Sequence, residues 1–78
     1  MIIVRKEVWN MGAPVKMTLK AARTNVNMSQ SEAGKAIGVS ENVISNWERG
    51  ISFPDVLQLK RIEDVYGVSY DNLIFLSK

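Results

Sequence analysis

The sequence predicts an all-α fold: five short helices in one compact domain, preceded by an extended N-terminal arm. Three observations predict it. From residue 17 onward, apolar residues recur at spacings of three and four, the period of a helix with one buried face. These runs open at Thr, Ser or Asp (Thr18, Ser29, Ser40, Asp55, Ser69), and three of them close at Gly (Gly38, Gly50, Gly67). Gly12 and Pro14 punctuate the chain between an alternating stretch and the helical part. Residues 1–16 are thus read as an arm or short strand, and residues 17–78 as the domain. A chain of 78 residues holds one core at most.

Each element has a local reason. In residues 2–9, Ile3, Arg5, Glu7 and Trp9 alternate with Ile2, Val4, Lys6 and Val8, which suits an extended segment. Thr18 is a good N-cap for a first helix over 19–24, with Leu19, Ala22, Arg23 and Val26 along one side. Ser29 with Glu32 three residues on makes a capping box, and that second helix runs to Ile37 before Gly38. Ser40 caps a third helix through Arg49. Asp55 caps a fourth, along which Val56, Leu59, Ile62, Val65 and Tyr66 share a side. Ser69 caps a short fifth helix from Tyr70 to about Leu73. Residues 74–76 are an apolar tail.

Composition narrows the chemistry. There is no Cys and no His, so disulfides, thiolates and the commonest general base and metal ligand are absent, and no cofactor is expected. With 46% hydrophobic and 23% charged residues the chain is globular rather than disordered. No apolar run approaches the roughly 20 residues of a membrane span, and the N-terminus lacks the order of a signal peptide, so a cytoplasmic location without membrane contact is expected. A single core below roughly 80 residues is marginal without a metal, disulfide or partner subunit, which raises self-association.

The net charge of +2 is uneven. Residues 1–39 carry Arg5, Lys6, Lys16, Lys20, Arg23 and Lys35 against Glu7 and Glu32, a balance of +4; residues 40–78 sum to −2. The asymmetry fits either an ordinary solvated surface or an acidic partner such as nucleic acid facing one side.

Residues 29–49 combine a helix, the three-residue turn Gly38-Val39-Ser40, and another helix. So short a turn forces a steep crossing. Ile37, Val39, Ile44 and Trp47 supply its apolar contacts, and Ile44 and Trp47, three apart, share the inner face of the second motif helix. That leaves Glu41, Asn42, Ser45, Asn46 and Arg49 outside. Hydrogen-bonding side chains on an exposed helix face suit the edges of bases in a major groove; the alternative is a polar solvated face.

The run from Ser29 to Ser40, followed by Glu41-Asn42-Val43-Ile44-Ser45-Asn46-Trp47-Glu48-Arg49-Gly50, resembles the helix-turn-helix domain of phage repressor and Cro-type transcription regulators. Leu19-Lys20-Ala21-Ala22-Arg23 resembles that family's first helix, and Ser52-Phe53-Pro54 with residues 62–73 its last two, so the likeness covers about residues 17–76. It implies a compact five-helix, lambda-repressor-like fold that binds double-stranded DNA as a pair of identical chains. It also implies a bacterial or phage-encoded protein, nucleoid-associated, that occupies a pseudopalindromic operator as a stand-alone repressor and has no small-molecule substrate.

Residue roles implied by the resemblance follow by position. Glu41, Asn42, Val43, Ser45 and Asn46 match the base-reading surface, with Asn suited to adenine, Glu to cytosine and Val43 to a thymine methyl. Gln30 and Ser31 match a phosphate contact at a helix N-terminus, or belong to the cap alone. Arg49 and Ser52 match a second phosphate contact, and Lys20 approaches the backbone or solvates the surface. Arg23 and Glu48 match a structural salt bridge between the first and third helices. Trp47 reads as core. Ala33 stands where the family often carries a larger apolar residue, and Gly34 where it prefers Ala; a small residue is expected to be tolerated there because the motif helices approach closely. The candidate dimer surfaces are residues 74–76 and the arm with Trp9.

Two other readings compete. One is an antitoxin-like module that binds DNA while residues 1–16 engage a protein partner. The other is an enzyme using Glu41 and Glu48, seven residues apart, but no nucleophile or metal set accompanies them.

Overall fold

A computed structural model describes residues 16–76. The predicted extended segment at residues 2–9 lies outside them. The chain runs through β1 (Met17–Thr18), α1 (Leu19–Asn25), α2 (Gln30–Ile37), α3 (Glu41–Glu48), α4 (Val56–Tyr66), a three-residue 3₁₀ turn (Tyr70–Asn72) and β2 (Leu73–Ile74). Among the described residues no helix is long and apolar enough to cross a membrane.

The helices begin where short polar side chains satisfy the first orphan N–H groups. Thr18 accepts from the Ala21 N–H at 3.1 Å, and Ser40 from that of Val43 at 3.2 Å. Ser29 and Glu32 close a capping box, with Glu32 N–H donating to Ser29 Oγ at 3.0 Å and Ser29 N–H to Glu32 Oε1 at 2.8 Å. Asp55 and Gln58 form a second capping box, in which each side-chain oxygen accepts the other's N–H at 2.8 Å. The Ser29 bonds, backbone first, hold the Glu32 carboxyl below its ordinary pKa. A carboxyl held low in the folded chain contributes above its unfolded pKa, and that contribution fades as the pH falls through the lowered value.

The core is Leu19, Ala22, Ala33, Ile37, Ile44, Trp47, Ile62, Tyr66 and Leu73, drawn from every helix and from β2. Trp47 is buried in it rather than offered as a stacking surface. The half-buried Val39 packs against it from within the motif turn.

Two glycines shape that turn. Gly38 sits at φ 96°, a left-handed conformation costly for residues with a Cβ. The carbonyl of Gly34 accepts from both Gly38 N–H at 2.7 Å and Val39 N–H at 2.9 Å, which folds the turn back over α2. A Cβ on Gly34 would lie 2.6 Å from the Val39 carbonyl oxygen and 3.2 Å from Ser40 C, both backbone. A Cβ at this position therefore requires the backbone of the turn to move away. Alanine gains about 1 kcal/mol in helix propensity, but the forced separation of backbone costs about 1–3 kcal/mol. Gly34→Ala is expected to lower stability by about 1 kcal/mol in urea titrations; a stabilised variant would refute the close approach.

The predicted fifth helix forms only as a single 3₁₀ turn, Tyr70–Asn72. After Gly67 the chain makes one 3₁₀ turn and then extends. Ser69 provides no side-chain cap; Glu63 Oε2 accepts the Tyr70 N–H at 2.6 Å instead. The chain then pairs in parallel with β1, in the register Met17↔Leu73 and Thr18↔Ile74. Ile74, read as part of an apolar tail, is thus a strand residue. The strand pair closes the domain because Leu73 drops into the core while its backbone finds the free edge just before α1. Lys16 adds to this closure, its ammonium donating to the Asp71 carbonyl at 3.3 Å. Among the described residues the fold is four α-helices, a 3₁₀ helix where a fifth was expected, and a small parallel strand pair. A smaller correction concerns α3, which ends at Glu48 with Arg49 as its C-cap.

Candidate nucleic-acid interface

The inner face of α3 buries Ile44 and Trp47, which fixes what the outer face presents. Glu41 and Asn42 are exposed in its first turn; Ser45 and Asn46 are half-buried one turn later, and Arg49 is exposed at the end. The steep crossing brings the start of α2 alongside. Gln30, Ser40, Glu41, Asn42 and Ser45 line one shallow open cleft between the two helix N-termini. The capping box satisfies the Glu32 N–H, which leaves those of Gln30 and Ser31 without an intrahelical partner at this end of the cleft.

Not every predicted site residue joins the cleft. Ser31 is exposed beside Gln30. Val43 is half-buried and packs against the core, which limits what it offers outward. Lys20 on α1 and Ser52 beyond α3 are exposed and do not line it. Ser40, read only as a cap, lies in the cleft wall.

Behind the cleft lies a buried polar cluster. Arg23 Nε donates to Glu48 Oε2 at 2.6 Å and Arg23 Nη2 to Glu48 Oε1 at 3.1 Å, a bidentate pair with both side chains buried. Arg23 Nη1 donates to the Met28 carbonyl at 2.8 Å. Gln30 Nε2 donates to the same Glu48 Oε1 at 3.0 Å. The Arg23–Glu48 pair therefore ties α1, the turn after it, the first residue of α2 and the end of α3. The hydrogen bond with Glu48 raises the guanidinium pKa against the opposing effect of burial. Glu48 is committed to this cluster by three hydrogen bonds.

Gln30 was not anticipated as a third member. It lies 18 residues from Glu48 in sequence, and no local pattern announces a contact made by the helix crossing. Arg49 Nη2 donates to Asn46 Oδ1 at 3.1 Å, a second contact missed from sequence although the two lie three apart on one helix.

Tyr66 packs beneath the cluster. Burial, and secondarily the Glu48 charge, push its phenol up to about 12, while Arg23 opposes the shift. The folded chain thus holds this proton more tightly than the unfolded one, whose tyrosine titrates near 10. The contribution is complete below about pH 10 and is lost as the pH rises toward 12. In a Tyr70→Phe background, phenolate absorbance is expected to emerge near pH 12 together with loss of helical circular dichroism. A phenolate at pH 10 with the helices intact would contradict the burial.

The chain matches the Helix-turn-helix family over residues 19–73. It is 36% identical over 56 residues to the HTH-type transcriptional regulator ImmR of Bacillus subtilis, and 34% identical over 56 residues to the HTH-type transcriptional activator BcrR of Enterococcus faecalis. Each match covers 72% of this chain but only 44% and 28% of the relative. A type II methyltransferase, M1.ScrFI of Lactococcus lactis subsp. cremoris, is 34% identical over 56 residues, a match covering 68% of this chain and 14% of that protein. The chain thus spans less than half the length of these curated relatives. On the fold of residues 19–73 and on these matches, the chain belongs to the helix-turn-helix family of phage repressor and Cro-type transcriptional regulators.

Proposed function

We propose that this chain binds double-stranded DNA sequence-specifically and regulates transcription, as a repressor that occupies an inverted-repeat operator in two copies. The observation that carries the reading is the outer face of α3. Glu41, Asn42, Ser45 and Asn46 are turned outward by the burial of Ile44 and Trp47 on the same helix. Hydrogen-bonding side chains held on a rigid helix suit the major groove, which an α-helix fits. Among the described residues no side chain bonds the carboxamide of Asn42, so its donor and acceptor remain free for an adenine edge.

The flanking groups suit the phosphate backbone. Gln30 and Ser31 sit at the N-terminus of α2, where N–H groups attract phosphate, with Gln30 steadied by Glu48. Arg49, Ser52 and Lys20 supply further contacts from exposed positions. These position the helix, while base contacts give sequence preference.

Pairing of two copies is supported by exposed apolar side chains. Phe53, Val56, Leu57, Tyr70, Ile74 and Leu76 are all exposed, and the Tyr70 and Phe75 rings stand 6.1 Å apart. So much apolar surface on so small a domain suits a partner subunit. Two copies would read half-sites about 34 Å apart.

The test is a comparison of two duplexes. Asn42→Ala is expected to weaken binding to the selected site by about 1–3 kcal/mol and to random DNA hardly at all. An equal loss on both would refute base reading by α3.

A further inference from the structure

Asn46 does not present a free carboxamide. Its Oδ1 accepts from the Arg49 guanidinium at 3.1 Å, one turn along α3. Reading adenine bidentately requires Asn Oδ1 to accept from the adenine amino group while Nδ2 donates to N7. The guanidinium takes one of the two Oδ1 lone pairs, so an adenine amino group reaching for the other comes up beside the N–H groups of a cation, where donor faces donor. What Asn46 and Arg49 jointly offer is the Nδ2 hydrogens, the remaining guanidinium hydrogens and one lone pair of Oδ1, a surface in which donors outnumber acceptors and the charge is positive. The base whose major-groove edge is two acceptors is guanine, through O6 and N7.

We propose, resting on the DNA-binding reading above, that Arg49 sets the base read by Asn46, so that the pair selects guanine where an unengaged asparagine would select adenine. Asn42, four residues earlier on the same helix, supplies the internal contrast. It is exposed, and among the described residues no side chain bonds its amide. The two asparagines of α3 therefore read different bases despite identical chemistry. The neighbouring Glu48 does not neutralise Arg49, because its carboxylate is held inside the domain by Arg23 and Gln30. Among the described residues no other carboxylate lies within ion-pair distance of Arg49.

The experiment selects preferred duplexes from a random pool with the wild-type chain, Asn46→Ala and Arg49→Met, followed by anisotropy titrations on the four base variants at the assigned position. Both replaced residues lie on the outer face, and thermal melts establish that the variants are folded. Asn46→Ala locates the position by making one base pair indifferent. There the wild type is expected to prefer guanine. Arg49→Met is expected to weaken all duplexes and, on top of that, to move the guanine-to-adenine ratio at that position by about tenfold toward adenine. An Arg49→Met chain that binds every duplex more weakly with an unchanged ratio would overturn the proposal, reducing Arg49 to a phosphate contact. So would a wild-type preference for adenine at the position that Asn46→Ala relaxes. Enrichment of no sequence by the wild type would instead overturn the DNA-binding reading itself, and this proposal with it.

Discussion

Replacing Glu48 by alanine is expected to lower stability by about 3–5 kcal/mol, the range for breaking a buried ion pair from one side. The reason is what stays behind. Arg23 cannot shed its proton, and in the variant its guanidinium remains buried, bonded only to the Met28 carbonyl. Gln30 loses its acceptor as well. Small domains have only about 5–15 kcal/mol of stability in all, so the variant approaches unfolding at room temperature. The double replacement Arg23→Met with Glu48→Leu is expected to recover most of the loss, because apolar groups of similar volume remove both buried charges together. Urea titration followed by circular dichroism checks both. A Glu48→Ala chain within 1 kcal/mol of wild type would show that water reaches the pair.

Ile44→Ala is expected to cost about 2–5 kcal/mol, and Ile44→Val about 0.5–1.5 kcal/mol. Ile44 is 1% exposed and sits in the core between the two motif helices, so the missing methyl groups leave a cavity bounded by well-packed neighbours. In a domain of this size each kcal/mol moves the melting temperature by roughly 4–8 °C. The outward residues of the same helix behave oppositely. Ile44→Ala is expected to shift the melt while the molecules still folded bind DNA nearly as before, whereas Asn42→Ala leaves the melt in place and weakens binding. Differential melts and binding isotherms on the two variants measure this separation. Loss of both properties in both variants would show that the two faces of α3 are not independent.

How much of this was legible in the residues depends on how far apart the interacting groups lie. The starts of α1 to α4 could be read from Thr18, Ser29, Ser40 and Asp55, because a cap acts on N–H groups two or three residues away. The turn of the motif was legible from Gly38 for the same reason. The strand pair was not, because Met17 and Leu73 belong to opposite ends of the domain and two-residue strands carry no periodicity. Leu73 reads equally as the end of a helix. The need for glycine at position 34 was half legible. Close approach was expected, but that the obstacle is the backbone of the next turn is a distance only the fold supplies. At the site, the polar outer face of α3 followed from the spacing of Ile44 and Trp47. The attachment of Gln30 to Glu48 and of Arg49 to Asn46 did not, since each depends on a rotamer chosen by its surroundings. The second of these is what distinguishes Asn46 from Asn42.

In the DNA-binding reading, the outer face of α3 reads base sequence and two copies act together. Its most direct test is selection of preferred duplexes from random DNA, with the mass of the selected complex measured alongside. Enrichment of an inverted repeat is expected, its half-sites about one helical turn apart, with two chains per duplex. Uniform, salt-sensitive binding with no enriched sequence would contradict it.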